Sequence, residues 1–240
     1  MNSPSPRLCV ADDATFWPWS SWPEFASWPD RGNTVVVLPL AGLADWGLGQ
    51  PLDAEETVLM HVLREASLRR SADLRLLVIP PLRFVLGPGP ECAFPVDPDT
   101  ASGLIDEVVG SIAAAGFRRV VLCNSSPWSE EFCRAAGRDI RIARGMQMFS
   151  INLSGLGLDF HPVRGGDRAN LKAALAVLAG ASGAAGGAGV AGVAGAGGAG
   201  AEAGRRILDD AAVRLASLLG EIRLRPPLAQ GGSLPSVPAP

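Results

Sequence analysis

The residues of this sequence that could do chemistry are mostly acids and serines, and they follow three short apolar runs. They are Asp45, Glu55, Glu56, Glu91, Cys92, Asp97, Asn124, Ser125, Ser126, Glu130 and Glu131. Carboxylates can bind hard cations or transfer protons, and a cysteine or serine can act as a nucleophile when a base lies beside it. That base is normally a histidine, and none occurs in this set. The loops therefore offer carboxylates without the partner that most nucleophile sites need.

The chain contains two histidines, both outside this set. His61 falls within a helix-like segment, three positions before Arg64, which favours a surface or packing role. His161 lies in a loop and is better placed for function than His61, but a structural role is favoured over a catalytic one, because the partner position is Arg164. Cys123 falls inside an apolar run and is expected in the core. The four cysteines show no CxxC spacing, so the sequence predicts neither a disulfide framework nor a zinc knuckle.

Three apolar, β-branched runs predict buried parallel strands. They are TVVVLPL (34 to 40), LRLLVIPPL (74 to 82) and FRRVVLCN (117 to 124), and MFSINL (148 to 153) is a weaker fourth candidate. Segments of helical periodicity separate the first three, and a further helix is predicted in RRILDDAAVRLASLLGEIR. Strand and helix alternation predicts an α/β fold with helices on both faces of the sheet. The carboxyl ends of the strands meet at one edge, which is where the loops above converge.

Composition favours a single domain, since 240 residues with 48% hydrophobic content can bury a sizeable core. Residues 180–201 contain only Gly, Ala, Val and Ser, which predicts a flexible insert rather than a phosphate loop, because the spaced glycines and Lys-Ser/Thr pair of such loops are missing. Residues 224–240 read as a Pro-rich disordered tail. Residues 1–19 form an aromatic extension, in which Phe16, Trp17 and Trp19 either pack in the core or form a docking patch for another chain.

Charge and hydropathy favour neither nucleic acid nor membrane as a partner. The formal net charge is -3, and no run of Lys or Arg marks a basic patch. No apolar run reaches the roughly 18 to 20 residues that cross a bilayer. The N-terminal stretch MNSPSPRLCVADDATF lacks the basic-then-apolar order of a secretion signal. We therefore expect a cytoplasmic protein with reduced thiols.

Three loop motifs follow the predicted strands in a recognisable order: PLAGLADWGLGQPLDAE, ECAFPVDP, and the end of GFRRVVLCNSSPWS, with HPVR further on. In these motifs the chain resembles the creatininase family of metal-dependent amidohydrolases, over roughly residues 20–223. The family forms are P-x-G-S-x-E-x-H-G-x-H-L-P-x-x-x-D, E-H-x-x-F-P-G-T, G-F-x-x-[IV]-x-[IV]-x-N-G-H-G-G-N and H-A-G-E. The residues that carry the resemblance are Pro39, Gly47, Pro51, Leu52, Glu91, Phe94, Pro95, Gly116, Phe117, Asn124 and His161.

The resemblance implies a three-layer α/β/α fold with a mostly parallel central sheet and a two-metal site. The implied ligand positions are Ala44, Trp46, Glu55, Ser126, and either Trp128 or Arg164. Among these residues only Glu55 can bind a hard cation. Two further family histidines are replaced, one by Gly49 and the one after Glu91 by Cys92.

A zinc or manganese ion that activates water needs three or more protein ligands, and one carboxylate cannot supply them. The indole of Trp46 has no lone pair for a metal and is large enough to fill the space of two ions. The sequence therefore predicts a vestigial metal position at Glu55 and no bound cofactor. It predicts a pocket lined by Ala44, Trp46, Gly49, Asn124, Ser126 and Trp128.

Two hypotheses for function follow. The first is a pseudoenzyme, a non-catalytic binding or assembly subunit that forms a homo-oligomer or pairs with an active paralogue, because the family it resembles forms ring-like homo-oligomers. The second is a divergent amidohydrolase acting on a cyclic amide or a small amide or peptide substrate. Its reworked site would use Glu55, Glu91, Cys92 and His161, with zinc or manganese as the cofactor.

Overall fold

The protein is described by a computed structural model that covers residues 15–46, 52–87, 92–93, 95–161, 168–183 and 198–226. Its strands are β1 (Val35–Ala41), β2 (Leu76–Val78), β3 (Leu82–Arg83), β4 (Val85–Leu86), β5 (Pro95–Val96), β6 (Arg119–Asn124) and β7 (Gln147–Asn152). Its α-helices are α1 (Trp22–Ala26), α2 (Ala54–Leu68), α3 (Pro98–Ala114), α4 (Glu130–Arg144), α5 (Arg168–Gly183) and α6 (Gly198–Leu224).

A parallel sheet forms the middle layer, with strand order β2-β1-β6-β7 and with β3 paired to the end of β1. Strands β4 and β5 form a separate parallel ribbon. The predicted strand 74–82 is split in two, because Pro80 and Pro81 have no backbone N–H to donate to a ladder. The predicted fourth strand is β7. The mostly parallel sheet expected from the sequence is thus confirmed.

The two faces of the sheet bury separate apolar cores, as the alternation of side chains along a strand requires. On β1, Val35 and Val37 face a core built with α2, α5 and α6. Val36 and Leu38 face a second core built with α3 and α4. Helices therefore cover both faces of the sheet, and the expected three-layer α/β/α architecture is confirmed.

Helix α4 was not predicted, since Glu130 and Glu131 were assigned to the loop after the third strand. They form the first turn of α4, where carboxylates interact favourably with the positive end of the helix dipole. The helix ends at Gly145, whose φ of 62° is left-handed, as is common after a helix. Few apolar residues mark this segment, because α4 buries mainly Cys133, Ala136 and Ile140 among many arginines.

Helices α5 and α6 extend into both ends of the Gly/Ala-rich segment, to Gly183 and from Gly198, and residues 184–197 lie outside the described part of the chain. The two helices pack closely at Gly204, where an added Cβ would lie 2.3 Å from the carbonyl oxygen of Ala173. Small residues in this part of the sequence thus have a packing role. Residues 227–240 also lie outside the described part.

The aromatic segment before α1 packs against the domain. Phe16 is buried and forms a parallel bridge with Val78, at the β2 edge of the sheet. Trp17 is half-buried and stacks on Phe25 with ring centroids 4.4 Å apart. Phe16 and Trp17 are therefore placed as packing residues, while the side chain of Trp19 lies outside the described residues. Within the described chain, no helix combines the length and the apolar character needed to cross a membrane.

Candidate functional site

The candidate site lies at the carboxyl ends of β1 and β6, where Leu40 is paired with Asn124. The backbone N–H of Ser125 donates to the carbonyl of Leu40 at 3.0 Å, which ties the loop after β6 to β1. Asn124 is buried, and its side chain donates to the carbonyl of Ser126 at 2.8 Å and accepts from the N–H of Ser126 at 3.1 Å. This two-way pairing fixes Ser126 at the end of β6.

Glu55 enters the same place from the first turn of α2. Its side chain is fully buried, and Oε2 accepts a hydrogen bond of 2.9 Å from the backbone N–H of Gly42, the residue after β1. A Cβ added at Gly42 would lie 2.6 Å from Glu55 Oε2 and 2.9 Å from Ser126 Oγ. The carboxyl and the hydroxyl are therefore both pressed against Gly42, which only a residue without a side chain allows.

Burial raises the pKa of Glu55 from 4.5 to about 7, and the Gly42 N–H, with smaller effects from Ser126 and Trp46, acts in the opposite direction. Despite this proximity, Glu55 Oε1, Ser126 Oγ and Trp46 Nε1 make no hydrogen bond of standard geometry to the residues described. The carboxyl can thus gain or lose a proton near neutral pH while it stays enclosed by protein.

The indole of Trp46 fills the space beside Glu55. It is 1% exposed, with its ring centroid 5.2 Å from that of Trp128 and 6.1 Å from that of Phe160. The Trp128 ring is tilted by 38°, and the Phe160 ring meets the indole edge-on at 77°. Such offset and edge-on contacts are favourable arrangements of aromatic rings. Trp46 is therefore a core residue of this part of the fold.

The second predicted loop approaches the first at Ala44, which forms an antiparallel bridge with Cys92. The N–H of Ala93 also donates to the carbonyl of Leu43 at 2.8 Å. Cys92 is half-buried and packs against the same core as Trp46. The structure thus brings Ala44 and Cys92 together at this edge of the sheet. Three other predicted residues, Gly49, Glu91 and Arg164, lie outside the described residues.

The two histidines lie in different places. His161 is half-buried, follows the Phe160 that contacts Trp46, and donates from its backbone N–H to Asp159 Oδ1 at 2.9 Å. His61 instead lies on α2 beside α6, in a cleft with Glu65, Arg69 and Asp209. Burial lowers the pKa of His61. Of the two histidines, only His161 is therefore near the candidate site.

The family model of creatininase, described as creatinine amidohydrolase, matches residues 19–175. This chain belongs to the creatininase family. The family resemblance seen in the loop motifs is thus confirmed. No curated protein sequence matches the chain at a significant level.

Solved structures show the creatininase fold over most of the chain. One is a protein assigned to the creatinine amidohydrolases, from Bacteroides fragilis NCTC 9343, at a TM-score of 0.67 and 17% identity, covering 90% of this chain and 98% of that one. Another is a creatinine amidohydrolase (creatininase) at a TM-score of 0.65 and 17% identity, covering 90% and 100%. At such identities the similarity shows the fold and does not transfer an activity.

The residues of this creatininase-family member do not fit the two metal ions that the resemblance implies. Among the described residues, no group of three or more His, Cys, Asp or Glu side chains could hold a metal ion. Of the implied ligand positions that are described, Ala44 and Trp46 are buried and apolar, and Trp128 lies against Trp46. Glu55 remains as the one carboxylate, and its Oε2 is already bonded to Gly42.

Two residues of the site were not singled out from the sequence. Gly42 follows a buried strand directly, and a glycine at the carboxyl end of a parallel strand signals close approach by another group. Phe160 precedes His161, which the motif comparison did identify, but nothing in the sequence predicts its contact with Trp46. The ring contact depends on how the loop after β7 folds back over the sheet.

Proposed function

We propose that this chain is a non-catalytic member of the creatininase family that serves as a binding or assembly subunit. The observation that carries the proposal is the position of Trp46, buried against Trp128 and Phe160 where the family resemblance calls for a metal-binding histidine. An indole in this place contributes to folding through its buried area and ring contacts. Its ring is also large enough to fill the space that two metal ions would occupy.

One observation favours the second hypothesis, a divergent amidohydrolase. A carboxyl with a pKa of about 7 is suited to general-base chemistry at neutral pH, and such groups are common at catalytic sites. However, a base must reach the proton that it abstracts, and Glu55 is fully buried, with Oε2 bonded to Gly42. The same burial that raises the pKa keeps the carboxyl from a substrate. We therefore place the amidohydrolase second.

The assembly role that we propose is that of a cytoplasmic protein that forms a homo-oligomer or pairs with an active paralogue. Two large apolar side chains on the surface, Trp22 and Ile142, each 76% exposed, support a role in association. Tryptophan is enriched at the centres of protein interfaces, where its area contributes strongly to binding. The proposal predicts neither nucleic acid nor a membrane as the partner.

Hydrolysis of creatinine and of a panel of cyclic and linear small amides would test the catalytic half of the proposal. The purified chain is assayed alone, with added zinc or manganese, and with a chelator, next to an active creatininase as the positive control. We expect no product above the protein-free blank in any of these conditions. Product formation that the chelator abolishes would establish the second hypothesis instead.

Sedimentation at a series of protein concentrations, alone and with a catalytically active paralogue, tests the assembly half. We expect a defined oligomer or a mixed complex. A chain that sediments as a monomer in both cases would contradict the assembly role without restoring a catalytic one.

A further inference from the structure

Strand β7 is at one edge of the main sheet, and within the described residues no strand pairs with its outer side. The N–H of Gln147 donates to the carbonyl of Arg118 at 2.9 Å, so Gln147 directs its backbone groups toward β6. Alternate residues of a strand direct their backbone groups to opposite sides. Met148, Ser150 and Asn152 therefore direct theirs outward. Such an edge can add a further strand by hydrogen bonding.

A groove of about 620 Å³ runs along this edge between α4 and α6. Residues of α4 form one wall and are mostly cationic: Glu130, Arg134, Gly137, Arg138 and Arg141. Residues of α6 and the segment after it form the other wall, where Leu218 and Ile222 add apolar area beside Glu221 and Arg225. An extended chain lying in the groove would thus meet positive charge on one side and apolar surface on the other.

The charge of the groove is opposite to that of the whole chain. Four arginines and two glutamates line it, whereas the chain has a formal net charge of -3. Arg134 is paired with Glu131 at 2.9 Å and Arg138 with Asp139 at 3.3 Å, and all four side chains are exposed. Exposed ion pairs of this kind are weak, so these two arginines can turn to an incoming carboxylate at little cost.

The third arginine of the α4 wall, Arg141, contacts the edge strand β7 itself. Arg141 Nη2 donates to the carbonyl oxygen of Met148 at 2.8 Å, in the place where an added strand would supply an N–H. A side chain thus satisfies one outward carbonyl of β7, while the outward groups of Ser150 lie further along the groove. Long side chains that cover an edge can move aside when a strand is added, because they are held by single hydrogen bonds.

We propose that this groove binds an extended segment of a partner protein in which acidic and apolar residues alternate, adding a strand beside β7. Successive side chains of that segment would point alternately to the arginines of α4 and to Leu218 and Ile222 of α6. The surface is separate from the site around Trp46, so the inference does not depend on whether the chain is catalytic.

Charge favours a partner segment over two other possible occupants of the groove, a second copy of this chain and the chain's own residues 227–240. A second copy paired through the same edge would bring two arginine-lined grooves together, which is unfavourable. The chain's own residues 227–240 are the other candidate; they follow Pro226, whose carbonyl accepts a hydrogen bond of 2.6 Å from Gln147 Nε2. However, that segment contains no charged side chain and four prolines, which cannot donate to a ladder. Neither complements the α4 wall.

Fluorescence anisotropy with a short labelled peptide of alternating Glu and Val tests the proposal on the full chain. A peptide of alternating Lys and Val, and one with the same Glu and Val residues in two blocks, are the controls. We expect binding of the alternating acidic peptide only.

The double variant Arg134→Glu, Arg138→Glu should weaken the binding of this peptide at least about tenfold, which corresponds to about 1.4 kcal/mol. The matched variant Arg205→Glu, Arg206→Glu, whose arginines are also exposed but lie on α6 outside the groove lining, should bind as the wild type does.

Amide hydrogen exchange gives a second readout, because strand addition should protect the N–H groups of Met148 and Ser150 in the complex. Thermal melts of both double variants establish that they are folded. Absence of binding, equal binding of the Lys peptide, or unchanged exchange at Ser150 would overturn the proposal. Tighter binding after truncation at Pro226 would identify the C-terminal segment as the occupant. A dimer that the groove variant dissociates would identify a second copy.

Discussion

Glu55 and Gly42 are joined by a hydrogen bond of 2.9 Å from the glycine N–H to the buried carboxyl oxygen Oε2. This bond links the first turn of α2 to the end of β1, at the point where the family resemblance places a metal ligand. In a metal site that oxygen would bind a cation. Here it satisfies a backbone donor, so the carboxyl has become part of the internal structure.

Replacement of Gly42 by Ala should destabilise the fold, because the new Cβ would lie 2.6 Å from Glu55 Oε2 and 2.9 Å from Ser126 Oγ. Both groups are buried and cannot move into solvent. We expect a loss of about 1–3 kcal/mol, the usual cost of overpacking a core. Denaturant unfolding measures it.

Gly103→Ala is the matched control, since an added Cβ there meets nothing within 4 Å and the residue lies within α3. That variant should be more stable than the wild type by up to about 1 kcal/mol, the helix preference of alanine over glycine. Equal effects of the two substitutions would mean that Glu55 and Ser126 are not packed against Gly42.

Replacement of Glu55 by Gln should remove a pH dependence of stability. Because burial raises the pKa of Glu55 from 4.5 to about 7, the folded state holds this proton more tightly than the unfolded chain. The resulting stabilisation is complete below pH 4.5, declines between pH 4.5 and 7, and is lost above that. Glutamine cannot ionise and does not lose this stabilisation. At about pH 8 the free energy of unfolding of the variant should therefore be higher than that of the wild type by on the order of 3 kcal/mol.

Unfolding curves of both proteins at several pH values measure this difference. Because the two proteins share all other titrating groups, the contributions of those groups cancel in the comparison. We expect the two stabilities to converge toward pH 4.5. A variant that is less stable than the wild type at alkaline pH would show that the Glu55 carboxylate is favourably paired when charged.

Replacement of Trp46 by Ala should cost about 3–5 kcal/mol, as expected when a large buried aromatic side chain is removed from a core. The indole contacts Trp128 and Phe160 and is almost fully enclosed. Leu224→Ala is the control, because that side chain is 74% exposed, and its loss should change stability by no more than about 0.5 kcal/mol. If Trp46 were a movable lid over an open pocket, both variants would have similar stabilities.

The elements with strong periodicity could be predicted from the sequence. The β-branched runs of β1 and β6 predicted parallel strands, and the helical periodicity after the first run predicted α2 between β1 and β2. Helix α4 was missed because its arginines hide a short apolar face that only the packing reveals. The predicted strand 74–82 extends past Pro80 and Pro81, whose missing N–H groups end the ladder at Val78.

Part of the candidate site could also be predicted. The loop motifs identified the positions of Ala44, Trp46 and Glu55, because their spacing follows that of the family. The motifs did not predict the Glu55 bond to Gly42 or the contact of Trp46 with Phe160. These depend on the relative placement of α2, β1 and the segment after β7, which residues far apart in the sequence determine together.

The metal content of the purified protein tests the proposed loss of the metal site most directly. The chain is purified without chelator and measured for zinc and manganese by mass spectrometry, beside an active creatininase prepared in the same way. We predict well under one equivalent of either metal per chain, and no shift in melting temperature with chelator, because a metal that does not bind the folded state cannot stabilise it. Stoichiometric zinc or manganese, with a melting temperature that falls when chelator is added, would contradict a non-catalytic role.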